Sequence, residues 1–271
     1  MTFDPQAVRI FEHAGLQQAA ADYTATFAQA TRGFIEDLLD AARVGAGMRV
    51  LDLACGPGLV AAAAVGRRAL PVGLDFSSAM IAWARADHPG IRFEEGDAEV
   101  LPFANEAFDA VVANFGIHHV AEPNRALTEA RRVLRPGGRV AFTSWSAPAE
   151  NIAWRLLFEA ISAHGDFKAT DTPPPGGSLR SPEDLLRALG AAGFTETEAR
   201  WVRGEWRVAT PGDLVDGFRR GTVRTAALID TQPAAALPLI EAAIAHGVAA
   251  YRRRDGFAIP IVAVLASGVR G

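Results

Sequence analysis

Val50-Leu51-Asp52-Leu53-Ala54-Cys55-Gly56-Pro57-Gly58 is the stretch that decides how this chain is read. A short apolar run leads into a turn carrying two glycines, and Leu59 to Ala64 follows at once with helix-forming residues. That order describes a buried strand that opens through a tight turn into a helix. Residues without a Cβ at such a turn let backbone approach a ligand closely, beside the free N–H groups of a helix start.

The same alternation continues outward. Apolar runs at Met48 to Leu53, Leu70 to Leu74, Ile91 to Glu94, Phe108 to Ala113 and Gly138 to Ser144 are separated by helical stretches. This spacing predicts βαβ units, hence the α/β class: a mostly parallel sheet with helices on both faces. Asp75-Phe76-Ser77-Ser78 supplies capping groups ahead of a helix over Ala79 to Ala86, and Arg135-Pro136-Gly137-Gly138 stops a helix that begins near Pro123. Beyond Trp145 the pattern predicts a helix over Ala147 to His164 and a loop at Thr172-Pro173-Pro174-Pro175-Gly176-Gly177. Ser181-Pro182-Glu183-Asp184 starts a helix that ends near Gly190, and Thr195 to Val208 alternates like a strand. Thr210 to Arg254 reads as mainly helical, with Tyr251-Arg252-Arg253-Arg254 as a solvated last helical turn. Gly256 to Ala266 is apolar enough for a buried strand, in which Pro260 calls for a sheet edge or a bulge.

Composition narrows the function classes. The 271 residues suffice for a full core, and a formal net charge of −4 argues against a protein that neutralises many phosphates, so no nucleic-acid partner is expected. No stretch is long and apolar enough for a membrane span, and the acidic, unpatterned start MTFDPQAVRIFEH lacks a secretory signal, so a cytoplasmic location is expected. The lone Cys55 provides neither an intramolecular disulfide nor a zinc cluster, and no metal is expected.

The chemistry gathers at strand ends. Gly56, Gly58 and Ala61 fit the G-x-G-x-x-A spacing of dinucleotide-binding loops, so the turn alone does not choose between nucleotides. Asp75 follows the second strand, seventeen residues after Gly58, where a carboxylate can accept both hydroxyls of an adenosine ribose. Asp97 follows the third strand in Glu95-Gly96-Asp97-Ala98, where it can meet the exocyclic amine of adenine, and Asn114 with Phe115 closes the fourth. Ligands of open α/β sheets bind outside the carboxyl ends of the strands, so these positions converge on one crevice.

VLDLACGPG, GLDFS, GDAEVLPF, FDAVVANFGIHHV and RRVLRPGGRV, taken in order, resemble the S-adenosylmethionine (SAM) binding core of class I methyltransferases, particularly the ubiquinone/menaquinone-biosynthesis subgroup. The resemblance spans roughly the middle third of the chain, Val50 to Ser144. It implies a Rossmann-like seven-stranded sheet whose last strand is antiparallel, and SAM as methyl donor with S-adenosylhomocysteine as product. It further implies that Asp52 orients the methionine amino end, that backbone at Ala54, Gly56 and Gly58 borders the methionyl and ribose portions, and that Asp75 binds the ribose hydroxyls. Phe76 or Met80 would lie against the adenine, Asp97 and Ala98 would read its edge, and Asn114 with Phe115 would sit near the methyl group. Ala54 departs from the family pattern, standing where many members have the first glycine. Cys55 reads as a small packed residue of the turn.

Methyl transfer needs a nucleophile in line behind the sulfonium, so positioning and water exclusion supply much of the catalysis. Where the nucleophile must lose a proton, His118 and His119, just beyond the fourth strand, are the candidate catalytic bases, and the sequence does not choose between them.

These readings divide the chain into an N-terminal helical cap segment (1–45), a SAM-binding core (46–146), a cap insertion (147–181), a core helix and strand (182–208), a helical lid insertion (209–255) and a final core strand (256–271). The cap segments should enclose a small-molecule acceptor, with Phe11, Tyr23, Phe27, Trp145, Trp154 and Phe218 as candidate wall residues and Arg180, Arg220 and Arg224 as candidate anion holders. The expected assembly is a monomer or homodimer. Two rival readings use the same loop: an NAD(P)-dependent oxidoreductase and a SAM-binding regulator without turnover.

Overall fold

The decisive stretch forms a strand because its side chains satisfy burial on two sides at once. The structure is a computed structural model and describes residues 3–170, 172, 173, 175 and 177–271. In chain order its elements are α1 (Pro5–Tyr23), α2 (Ala28–Arg32), α3 (Ile35–Ala41), β1 (Arg49–Leu53), α4 (Leu59–Gly66), β2 (Leu70–Asp75), α5 (Ser78–Asp87), β3 (Arg92–Glu95), β4 (Phe108–Asn114), α6 (Pro123–Val133) and β5 (Leu134–Trp145). There follow α7 (Ile152–His164), α8 (Pro182–Ala191), β6 (Thr195–Val208), α9 (Pro211–Gly221), α10 (Arg224–Asp230), α11 (Leu237–Val248), β7 (Arg252–Arg253) and β8 (Gly256–Val269). Val50 in β1 and Ala110 and Val112 in β4 face one apolar layer, while Leu51, Leu53, Val111 and Ala113 face the other. Near-continuous apolar runs are what a parallel sheet covered on both faces requires.

The sheet runs β3-β2-β1-β4-β5-β8-β6, with β7 paired to β8. β1 to β5 are parallel, and β8 inserts antiparallel between β5 and β6. The seven-stranded order with its antiparallel return is the Rossmann-like architecture expected from the motifs. One helical layer holds α6 and α8, whose Leu127, Leu185 and Leu189 cover Phe142. The other holds α3, α7, α9 and α11, packed through Leu38, Leu157, Phe218 and Ile244 onto Val112, Ala141 and Ile259.

Four local expectations shift. The Arg135-Pro136-Gly137-Gly138 stop ends α6 at Val133, but those residues already belong to β5, because a register shift between Phe108 and Ala110 absorbs them as a bulge. Gly137 adopts φ +74, and its N–H donates to the Arg270 carbonyl at 2.7 Å. The helix expected from Ala147 starts only at Ile152, after a turn through Pro148. Arg252 and Arg253 are not a last helical turn but the ribbon β7, paired with Phe257 and Gly256; the Arg252 guanidinium lies over the Phe257 ring at 4.7 Å, sheltering the apolar face of that ring. Pro260 sits in an internal strand, opposite Glu205, but β5 ends its pairing at Ala263, so the missing N–H falls where β8 overhangs its neighbour. The loop expected over 172–177 lies partly outside the described residues, at Pro174 and Gly176.

Candidate active site

All four central parallel strands stop along one rim, and the backbone there is bent for close approach. Ala54, Gly56, Gly58 and Phe115 have φ of +55, +51, +84 and +57. The left-handed conformation is costly at Ala54 and Phe115, which lack glycine's freedom, and is held by the surrounding packing. Gly116 explains part of it: a Cβ there would meet the Ala54 Cβ at 2.5 Å. An added Cβ at Gly56 meets nothing within 4 Å, so this glycine opens onto free space.

Acidic side chains brace the rim. Asp75, at the end of β2, is buried, and its two oxygens accept the Gly56 and Ser77 N–H groups, each at 2.9 Å. Burial pushes its carboxyl pKa above the ordinary range, against those two hydrogen bonds. Asp52 is buried beneath the turn, where Oδ2 accepts the Ala61 N–H at 2.9 Å at the start of α4 and Oδ1 has no partner among the described residues. Burial, reinforced by the charge of Asp75 and countered by the Ala61 hydrogen bond, pushes its pKa up to about 8. Burial likewise drives the Cys55 thiol well above its usual value, as fits a packed residue and not a nucleophile.

A cleft of about 740 Å³ lies over this rim. Ala54, Gly56, Asp75, Phe76, Met80, Asp97, Ala98, Asn114 and Phe115 all line it, so the structure brings together every expected cofactor position except two. Asp52 faces the helix start below, and Gly58 is packed under Phe93, whose Cζ would stand 2.6 Å from an added Cβ. Asn114 is held from two sides, donating to the Thr31 carbonyl at 3.1 Å and accepting from Thr143 Oγ1 at 2.7 Å.

The roof of the cleft is α1, which the sequence reading placed only as a cap. Arg9 pairs with Asp97 at 3.1 Å and with the buried Glu99 at 2.6 Å. Gln17 accepts the Ser77 hydroxyl and the Ala79 N–H, each at 2.9 Å, and donates to Ser78 Oγ at 2.8 Å. Arg9, Leu16 and Tyr23 line the cleft. Their signal was present but faint: Val8, Glu12 and Ala19 share the buried stripe of α1, and a charged residue on such a stripe demands a partner.

A second cavity, about 1440 Å³, opens beside the first and shares Leu16, Tyr23, Phe115 and His119 with it. Tyr23, Phe27, Trp145 and Trp154 form its wall as the cap reading expected, and the Phe115 and Trp145 rings stack at 3.9 Å. Phe11 and Phe218 are corrected. Phe218 is fully buried between Trp154 and Trp206 as core, and Phe11 lies under the Arg224 guanidinium. Arg180 and Arg224 reach the cavity; Arg220 is exposed on α9 and does not.

The two histidines differ. Both line the second cavity, but only His119 also lines the first. His119 Nδ1 lies 2.7 Å from Oε2 of Glu12, a carboxylate with no exposed surface. His118 Nδ1 has no partner among the described residues, and burial together with the charges of His119, Arg180 and Arg224 drives its pKa well below the usual range.

Residues 51–142 match a family model described as a methyltransferase domain. The demethylmenaquinone methyltransferase of Thermus thermophilus is 37% identical over 173 residues, covering 58% of this chain and 79% of that one. The chain belongs to the class I methyltransferase family. The demethylmenaquinone methyltransferase of Paenarthrobacter aurescens is 39% identical over 47% of this chain, and the chain spans 50% of its length. Among solved structures, a phosphoethanolamine N-methyltransferase of Haemonchus contortus, in complex with phosphomonomethylethanolamine and S-adenosylhomocysteine, superposes with a TM-score of 0.54 at 19% identity, covering 88% of this chain and 52% of that one. The methyltransferase match ends at residue 142, so most of the second cavity is built outside it. Among the described residues no His, Cys, Asp and Glu group is placed to hold a metal ion, and no helix is long and apolar enough to cross a membrane.

Proposed function

We propose that this chain transfers a methyl group from SAM to a small-molecule acceptor by direct in-line displacement. The observation that carries the reading is the placement of Asp75. Its carboxylate is pinned by two backbone N–H groups on the rim of a cleft that runs into a second, aromatic-walled cavity. The donor set fits an adenosine with a cationic tail. Asp75 retains lone pairs for ribose hydroxyls, Asp97 borders the same cleft, and Gly56 leaves room.

SAM, when bound, supplies an electrophilic methyl on a sulfonium. The protein supplies everything else. Asp75, Phe76, Met80, Asp97 and Ala98 hold the nucleoside, Ala54, Gly56, Asn114 and Phe115 hold the opposite end, and α1 excludes water from above. The acceptor occupies the second cavity, where His118 and His119 border the junction. Its identity is set mainly by the cap, because most of the walls come from segments outside the family match.

Isothermal titration with S-adenosylhomocysteine, SAM and NADPH tests the reading. One saturable site for the two sulfur nucleosides and none for NADPH is expected. Binding of NADPH alone would return the glycine turn to its dinucleotide reading, and slow release of S-adenosylhomocysteine with no product over a broad acceptor panel would favour a regulator.

A further inference from the structure

The junction between the two cavities holds a buried carboxylate beside His119 that the sequence did not show. Glu12 on α1 has no exposed surface, yet both its oxygens face charged or titratable partners. Oε2 lies 2.7 Å from His119 Nδ1, and Oε1 lies 2.7 Å from Nε of Arg224 on α10. A buried carboxylate needs compensation of this kind, and the guanidinium supplies it from the far side as a charge pair, aligned so that Oε1 makes no hydrogen bond to a described residue. With Nδ1–H donating to Glu12, the tautomer is fixed and Nε2 is left as the basic atom. Nε2 makes no hydrogen bond to a described residue, and His119 borders both cavities together with Tyr23, whose phenol burial keeps protonated.

We propose that Glu12 is a positioning residue that holds His119 as the base for an aromatic hydroxyl acceptor, with Arg224 holding Glu12 in turn. This rests on the methyltransferase reading above and deepens it. Three features select the acceptor class. Stacked and edge-on rings of Phe27, Phe115, Trp145 and Trp154 suit a flat aromatic body. Arg180 and Arg224 line the same cavity and favour an oxygen that becomes anionic over an amine that carries positive charge. An aryl thiol is ionised near neutrality without help, so a built base serves a hydroxyl. In the step, the acceptor O–H bond breaks and its proton moves to His119 Nε2. The oxygen pair forms the new O–C bond as the C–S bond breaks, its electrons remaining on sulfur as a neutral thioether. The imidazolium then returns its proton to solvent.

The groups facing His119 are Glu12 from α1, Asp75 from β2, His118 from its own turn and, through Glu12, Arg224 from α10. Removing the Glu12 carboxylate therefore releases the ring from the orientation that aims Nε2 at the junction. The test uses the full chain, SAM, and the paired probes biphenyl-4-ol and biphenyl-4-thiol. Wild type should methylate the oxygen of the first, and Glu12→Gln should lower the ratio of hydroxyl to thiol turnover about 100-fold through kcat with KM little changed. Imidazole ¹⁵N spectra should show His119 protonated on Nδ1 in wild type, with that single tautomer lost in Glu12→Gln. Should that variant fail to fold, His119→Gln leaves the Arg224 ion pair in place and must lower the same ratio. An unchanged ratio, an Nε2–H tautomer in wild type, or no methylation of biphenyl-4-ol by protein that binds S-adenosylhomocysteine would each overturn the proposal. Loss of S-adenosylhomocysteine binding by wild type would instead overturn the methyltransferase reading.

Discussion

The first cavity takes nearly all its wall from residues 54–121, at the ends of successive parallel strands, whereas the second draws on α1, the turn after β4, the end of β5, α7, the segment around Arg180 and the α9–α10 corner. In the first, the shaping groups are backbone turns and short carboxylates, such as Asp75 bonded to Gly56 and Ser77. In the second they are large side chains brought together from afar, such as Trp154 against Phe27 and Phe218. The first is a consequence of the sheet, and the second of how helices pack around it. Damage to one should therefore leave the other recognisable.

The largest effect should come from the shell behind the second cavity. Phe218→Ala removes a fully buried ring and should cost about 4 kcal/mol of stability by chemical denaturation, while folded protein at low temperature keeps its S-adenosylhomocysteine affinity within a few-fold. A hundredfold loss of that affinity would break the distinction. Asp75→Ala should do the reverse, weakening S-adenosylhomocysteine about 100-fold by calorimetry with the near-ultraviolet signal of the Trp145 and Trp154 cluster preserved.

Asp52 sharpens the comparison through pH. Its folded pKa of about 8 lies above the unfolded value, so between roughly pH 4 and 8 the folded state holds a proton that the unfolded state has lost. Stability therefore falls as pH rises through that window. Wild type should lose about 1 kcal/mol per pH unit relative to Asp52→Asn, as an upper figure, when paired denaturation curves are taken from pH 5 to 8. A flat difference would mean that the carboxyl beneath the turn is already ionised. The smallest effect belongs to Arg9, whose half-exposed guanidinium ties α1 to Asp97 and Glu99. Arg9→Ala should raise amide exchange in α1 about tenfold without changing exchange in β1 or β4.

How far the sequence carried follows the same division. The strand runs, the glycine turn, Asp75 and Asp97 were legible because each is a local pattern: apolar alternation, a capped helix start, a polar residue at a strand end; the antiparallel direction of the last strand came only from the family resemblance. Where local signals competed, pairing decided the outcome: Arg252 and Arg253 were drawn into a ribbon with β8, and Pro136 was absorbed into a bulge. Within the cleft, Asp52 and Gly58 turned out to support the turn from behind and not to line it.

Glu12 was invisible as a functional residue, since its partners His119 and Arg224 lie 107 and 212 positions away in the chain. The amino-acid order by itself determined the α/β sheet, the glycine turn and carboxylates of the rim, and the pair of candidate histidines. Only the tertiary structure decided which histidine meets a buried carboxylate, which aromatic rings are wall and which are core, and which helix closes the cleft. Periodicity and turn chemistry act over a few residues, whereas the partner of a buried charge is fixed by packing between elements that the chain places far apart.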